Sequence, residues 1–185
     1  VETLIKIKNL VFLVILLMVS GCTTPLDKAT VYYERSLFAD QLADQTSDIK
    51  KQILQHGRCN VIIGTPGSNI GIMSFCVYAM TQDALRVLAW NASTLQYTPI
   101  VQLNWSSISS ISLKTFGLTK QIQISEKQRQ TGFSAIVDGG GYIDRDATVK
   151  IFEFAKEKGV KVVESDGLMK VPQGDTMFVP IIIKR

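Results

Sequence analysis

Apolar and polar positions fall into three regimes along the chain. Near its start an unbroken apolar run, Leu10 to Val19, follows Lys6 and Lys8 and ends in Leu17-Met18-Val19-Ser20-Gly21-Cys22. From Tyr33 to Gln55, Phe38, Leu42, Ile49 and Ile53 recur near helical spacing, with Gln45 and Thr46 breaking the stripe. Glu34, Asp40, Asp44 and Asp48 precede Lys50 and Lys51, the order that a helix macrodipole favours, and Gly57 offers a stop. A face this thin suits a helix lying loosely against the rest of the domain or against a partner.

From Arg58 the period shortens. Cys59 to Thr65, Ile72 to Thr81, Leu85 to Trp90, Thr98 to Leu103, Ile108 to Thr115, Lys120 to Ser125 and Thr131 to Asp138 read as strands separated by turn-forming residues. Seven short strands at hairpin spacing predict an antiparallel sheet system. After Gly139-Gly140-Gly141 the pattern becomes helical: Asp144 or Asp146 can cap a run in which Val149, Phe152 and Ala155 share a face, and Gly159 ends it. Two apolar segments, Val160 to Val163 and Phe178 to Ile183, follow as candidate added strands, with Pro172 and Gly174 between them.

Two stretches carry a likeness to a known family. Val77-Tyr78-Ala79-Met80-Thr81-Gln82-Asp83-Ala84-Leu85-Arg86-Val87-Leu88 looks like the strand-turn-strand of bacterial PH-like and GRAM-type domains. Leu103-Asn104-Trp105-Ser106-Ser107-Ile108-Ser109-Ser110-Ile111-Ser112-Leu113 is similar to that family's I-P-L-S-S-I-x-S-V segment, with Asn104 where Pro is usual and Trp105 where Leu is usual. The resemblance spans residues 58 to 160. It implies an α+β, mainly β fold: a PH-like antiparallel sandwich or partly open barrel of about seven strands, closed by a C-terminal helix and preceded by an N-terminal one.

The N-terminal run resembles bacterial lipoprotein signal peptides. An apolar stretch of about ten residues is too short to span a ~30 Å hydrocarbon core as a helix. The resemblance implies cleavage before Cys22, acylation of that cysteine and anchoring in a bilayer, with each buried methylene contributing about 0.8 kcal/mol. Thr23 stands where Asp would signal inner-membrane retention, so the implied address is the periplasmic leaflet of the outer membrane. A chain opening on Val1 fits an alternative start or a truncated sequence. The organisation expected is therefore a signal peptide over 1–21, a lipidated tether over 22–31, a helical linker over 32–57, the β domain over 58–160 and an extension over 161–185.

Removing 21 of the 185 residues leaves 164, enough for one domain with a core. The whole chain carries 20 Lys and Arg against 16 Asp and Glu. No basic run exceeds two residues, as at Lys50-Lys51, which argues against a nucleic-acid partner.

Beyond Cys22 two cysteines remain, in a compartment that permits disulfides. A two-residue turn on Gly67 and Ser68 would set Cys59 opposite Cys76 on a non-hydrogen-bonded site, where Cα atoms lie about 4.5 Å apart, within disulfide range. The alternative is two buried thiols with a bulge shifting the register.

Candidate chemistry is sparse. His56 is the single histidine, so a His-rich metal site is excluded and a Ser-His-Asp arrangement would depend on it alone. Asp138 to Asp146 lacks EF-hand spacing and reads more simply as a glycine-rich entry to a capped helix. No metal, cofactor or small-molecule substrate is expected. Ser107, Ser109, Ser110 and Ser112 form a polar stripe that reads as an outward strand face, able to offer hydrogen bonds to a partner's strand.

The expected role is a lipid-anchored, non-catalytic interaction module. Its partners would be the bilayer, through Cys22, and another envelope protein or a lipid headgroup. PH-like folds bind phosphoinositides, peptides or proteins, and phosphoinositides are not expected in a bacterial periplasm, which favours a protein. Two rivals stand beside it: a structural subunit of an envelope or secretion complex, and a hydrolase or transferase built around His56 or the Asp138 to Asp146 loop.

Overall fold

The computed structural model describes residues 31–43, 52–164 and 167–172. The predicted signal peptide, Cys22, most of the tether, the middle of the predicted linker helix and the Phe178 to Ile183 segment lie outside them. Seven antiparallel strands follow one another: β1 (Gln55–Gly64), β2 (Gly71–Met80), β3 (Ala84–Asn91), β4 (Gln96–Asn104), β5 (Ser110–Phe116), β6 (Thr119–Ser125) and β7 (Gln130–Ile136). They form one sheet in the order β4-β3-β2-β1-β7-β6-β5, with β1 paired on both sides. Helix α1 (Arg35–Ala43) precedes the sheet and helix α2 (Arg145–Glu157) follows it. This is the mainly β, PH-like arrangement that the sequence resemblance implies.

The sheet curls around its inward residues. Val61, Tyr78, Leu85, Leu103, Ile111, Ile122, Ile124 and Phe133 meet there, and α2 supplies Ile151, Phe152 and Ala155 to the same core. The inward face of α2 thus runs through Thr148, Ile151, Phe152 and Ala155; Val149, expected on it, is only half-buried because it lies one position off the 3.6-residue stripe. Asp144 caps the helix, its side chain accepting from the Ala147 N–H at 2.9 Å. Thr148 Oγ1 donates to the Asp144 carbonyl and accepts from the Ala135 N–H, stitching the helix to β7. Trp105 sits in the 3-10 turn Trp105–Ser107 after β4; its indole donates to the Thr81 carbonyl at 3.1 Å and its ring meets Phe154 edge-on.

The N-terminal segment departs from a loose linker. Helix α1 is described over Arg35–Ala43, and β1 already begins at Gln55, inside the region expected to be helical. Val31, Tyr33, Phe38 and Leu42 are buried against Val77, Ala79, Leu88 and Tyr97 on the outer face of the sheet, a second core that the short stripe of α1 alone did not announce. Arg58, buried in β1, holds this segment through the Val31 carbonyl at 2.7 Å and lies over the Tyr33 ring.

The C-terminal extension covers another edge. The Ile111 N–H donates to the Lys161 carbonyl and the Val163 N–H to the Ile111 carbonyl, so residues 161–163 run parallel to β5. Residues 167–170 then cross the outer face of β6 and β7. Gln121 acts there as a substitute peptide group, accepting from the Met169 N–H at 2.7 Å and donating to its carbonyl at 3.3 Å. Gln123 donates to the Gly167 carbonyl, and Gly132 leaves the room that Met169 occupies: a Cβ there would stand 3.0 Å from it. Lys170 finally bridges to Ile70 beside the β1–β2 turn.

Candidate functional site

The two cysteines face each other across β1 and β2, Cys59 opposite Cys76. The turn that sets this register is not a two-residue hairpin. Thr65 accepts from the Ser68 N–H around Pro66 and Gly67, and Gly67 adopts φ +75°, the geometry that Pro followed by Gly favours. The six-residue connection is symmetric about the same point, so the register equals that of the shorter turn. Both side chains are buried thiols with Sγ atoms 2.6 Å apart. Burial and then the neighbouring Cys76 push the Cys59 thiol well above its ordinary pKa, which leaves it a poor nucleophile.

The serine stripe is not one face. Ser107 and Ser109 are exposed, Ser110 is half-buried and Ser112 is buried. Ser107 Oγ has the Asn104 carbonyl at 3.0 Å and Glu126 at 3.3 Å as alternative acceptors for its one proton, because it sits in the 3-10 turn and not on a strand. The outer edge of β5, which a partner's strand would need, is occupied at Ile111 by residues 161–163.

A cleft of about 330 Å³ gathers the groups that the enzyme reading would require: Arg35, His56, Tyr78, Asp144, Asp146 and Lys150 among its lining. Most of them already hold the fold. Tyr33 and His56 Nδ1 share a hydrogen bond of 2.9 Å, and His56 stacks on Phe38. Gln55 donates to the Tyr78 hydroxyl at 2.8 Å, Asp144 caps α2, and Arg35 pairs in bidentate fashion with Asp138. Burial and then the Arg35 charge lower the pKa of His56, while burial pushes Tyr33 up to about 12 and Tyr78 higher still. The cleft is a seam between α1, β1 and α2. Among the described residues no group of three His, Cys, Asp or Glu side chains could hold a metal ion.

Exposed large apolar side chains lie elsewhere, on turns: Leu95 and Tyr142 singly, and several together at the tips of two hairpins. Ile70 and Ile72 at the β1–β2 tip are 55% and 78% exposed, and Phe116 and Leu118 at the β5–β6 tip are 77% exposed each. Neighbouring Ile72 and Met73 point to opposite faces, yet both are exposed, so the β1–β2 hairpin projects beyond the core. Residues 167–171 join the tips: Lys170 bridges to Ile70, and a hollow of about 340 Å³ between the β5–β6 tip and this segment is lined by Lys114, Thr115, Phe116, Gly167, Leu168 and Lys170. These residues lie at turns, outside the apolar alternation that marks strands in the sequence. The readable signal was Phe116-Gly117-Leu118, two large apolar residues around a hairpin glycine where polar ones are usual.

No helix among the described residues is long and apolar enough to cross a membrane. No protein-family model matches the chain, and no curated protein does. Among solved structures, the chain is similar to a Slm1-PH domain in complex with inositol-4-phosphate, at 11% identity and a TM-score of 0.42, covering 58% of this chain and 96% of that one. It is also similar to the hSac2 domain of the human phosphoinositide phosphatase Sac2, at 12% identity and a TM-score of 0.40, covering 78% and 98%. A third similar structure contains the PH and C1 domains of the Vav1 exchange factor, at 10% identity and a TM-score of 0.40, covering 71% and 30%.

Proposed function

We propose that this protein is a membrane-anchored, non-catalytic interaction module of a bacterial envelope. It is held at a bilayer through acylated Cys22 and presents its β domain to an envelope protein or a lipid headgroup. The observation that carries the reading is the group of exposed apolar side chains, Ile70, Ile72, Phe116 and Leu118, on the β1–β2 and β5–β6 hairpins. The polar cleft at His56 favours this reading over the enzyme, since its groups are engaged in holding α1 and α2.

Two measurements on cells producing the full chain test it. Metabolic labelling with a fatty acid should mark the protein and fail on the Cys22→Ser variant. A photocrosslinking residue at position 118 should capture an envelope component, lipid or protein. Absence of label on the parent chain overturns the anchoring, and a crosslinker at 118 that reacts only with water overturns the interaction surface.

A further inference from the structure

The two halves of β2 have different neighbours. β1 pairs with it from Gly71 to Met80, but β3 pairs with it only from Val77 to Met80. β3 carries a register shift between Val87 and Leu88, just where its pairing with β2 ends, and its remaining residues pair with β4 alone. Residues 71–76 are therefore an open edge, which the rest of the described chain meets at one point. The Lys170 N–H donates to the Asn69 carbonyl at 2.8 Å, and the Lys170 carbonyl accepts from the Gly71 N–H at 3.0 Å, the start of a parallel ladder. The next rung needs an N–H at residue 172 for the Gly71 carbonyl, and residue 172 is a proline. The ladder stops there. Because Gly71 turns its N–H away from β1, two-residue alternation turns the peptide groups of Met73 and Phe75 the same way, with no partner strand among the described residues.

This edge asks for an unusual strand. Ile72, 78% exposed, and Met73, 40% exposed, point to opposite faces of β2, so a strand lying beside them must be apolar on both faces. An alternating sequence would not serve. Residues 178–183, Phe178-Val179-Pro180-Ile181-Ile182-Ile183, are such an unalternated run, six residues long like the edge itself. Five residues, 173–177, link the run to Pro172 and allow a span of up to about 20 Å, against about 17 Å from Gly71 to Cys76.

We propose that residues 178–183 of this chain add to the open edge of β2 as a further strand, beside Ile72 and Met73. In that pairing Pro180 must turn its nitrogen to solvent, which aims the peptide groups of Val179, Ile181 and Ile183 at β2 and spoils the new outer edge for any further strand. The proposal goes beyond the interaction role and does not rest on it, since it takes up Ile72 and Met73 and leaves Phe116 and Leu118 to an outside partner.

Hydrogen exchange at single-amide resolution on the full chain tests the pairing. The Met73 and Phe75 amides should exchange slowly, and Ile181→Pro, which removes an N–H aimed at β2, should speed both by roughly ten- to a hundredfold. Ile182→Pro removes an N–H that faces solvent and should leave them slow. Ile72 and Ser74, whose peptide groups face β1, should keep their protection in every variant and so certify the fold. Fast exchange at Met73 and Phe75 in the parent chain, or equal acceleration by both prolines, overturns the added strand. Protection that fades on dilution as a dimer dissociates overturns the pairing within one chain and assigns the strand to a second copy. Fatty-acid labelling and capture at position 118 read neither Met73 nor Phe75, so failure of the strand and failure of the interaction role are told apart.

Discussion

Oxidation of Cys59 and Cys76 is the perturbation whose size follows most directly from the fold. The register already holds the two residues opposite each other, so a bond between them would constrain chiefly the unfolded chain. The loop from 59 to 76 lowers unfolded-state entropy by an amount worth roughly 3 kcal/mol. For a domain of this size that corresponds to about 10 °C in Tm. The chemistry is thiol–disulfide exchange: the two thiols lose two protons and two electrons to a disulfide donor such as oxidised glutathione. Burial holds the Cys59 thiol protonated and out of reach, so the folded protein should react slowly and the refolding chain quickly. Thermal melts of protein refolded with oxidised glutathione, with and without later reduction, should therefore separate by about that interval. Alkylation and mass measurement should count two blocked thiols only in the reduced sample. Equal melting points despite complete oxidation would refute the entropic reasoning, and two alkylatable thiols after oxidative refolding would refute the pairing.

Phe38→Ala should cost about 3 kcal/mol or more in urea-induced unfolding, since Phe38 is fully buried between Tyr33, His56 and Tyr97; an unchanged midpoint would mean that α1 is not part of the cooperative unit. The folded state holds the pKa of His56 below its unfolded value, so the unfolded chain binds more protons as the medium acidifies. That contribution is fully present above about pH 6.5 and is lost as the pH falls through the folded-state value. Urea midpoints between pH 7.5 and 5 should fall less in His56→Gln than in the parent chain, and parallel profiles would contradict the assignment. Gln121→Leu removes both hydrogen bonds to Met169 and leaves its backbone groups unpaired, at a cost of about 2 kcal/mol. Hydrogen exchange at Met169 should accelerate while β6 keeps its protection, and unaltered exchange would show that the side chain does not hold the segment.

Strand count, hairpin order and the capped C-terminal helix were legible because each is a local statement. Apolar alternation marks the strands, Gly-rich turns separate them, and Asp144 followed by a 3.6-residue stripe marks α2. The connection from Thr65 to Ile70 shows how a wrong local detail can keep the right long-range answer. The turn type differed from the expected one, but its symmetry preserved the pairing of Cys59 with Cys76. The covering of the outer faces was not legible. Arg58 reads as a solvated charge until Val31 and Tyr33 lie over it, and Gln121 and Gln123 read as an exposed strand face until residues 167–170 take up their amides. The same long-range event divides the serine stripe, since burial of Ser112 and the use of the Ile111 edge both depend on chain segments remote in sequence.

The two termini of the described chain explain why the hairpin end stands apart. A curled sheet has an inner face, an outer face and two edges, each of which exposes apolar side chains or unpaired peptide groups unless something covers it. Here α2 fills the inner face, α1 and its leading residues cover the outer face over β2 to β4, residues 167–170 cover it over β6 and β7, and residues 161–163 take the β5 edge. The β4 edge carries Pro99, beside a register shift opposite Val87 and Leu88, and both features discourage further pairing. A chain that protects its faces and edges this thoroughly leaves Ile72, Phe116 and Leu118 exposed on its turns, where a polar residue would be the inexpensive choice. Nothing in the packing of the described residues calls for large apolar groups at those positions.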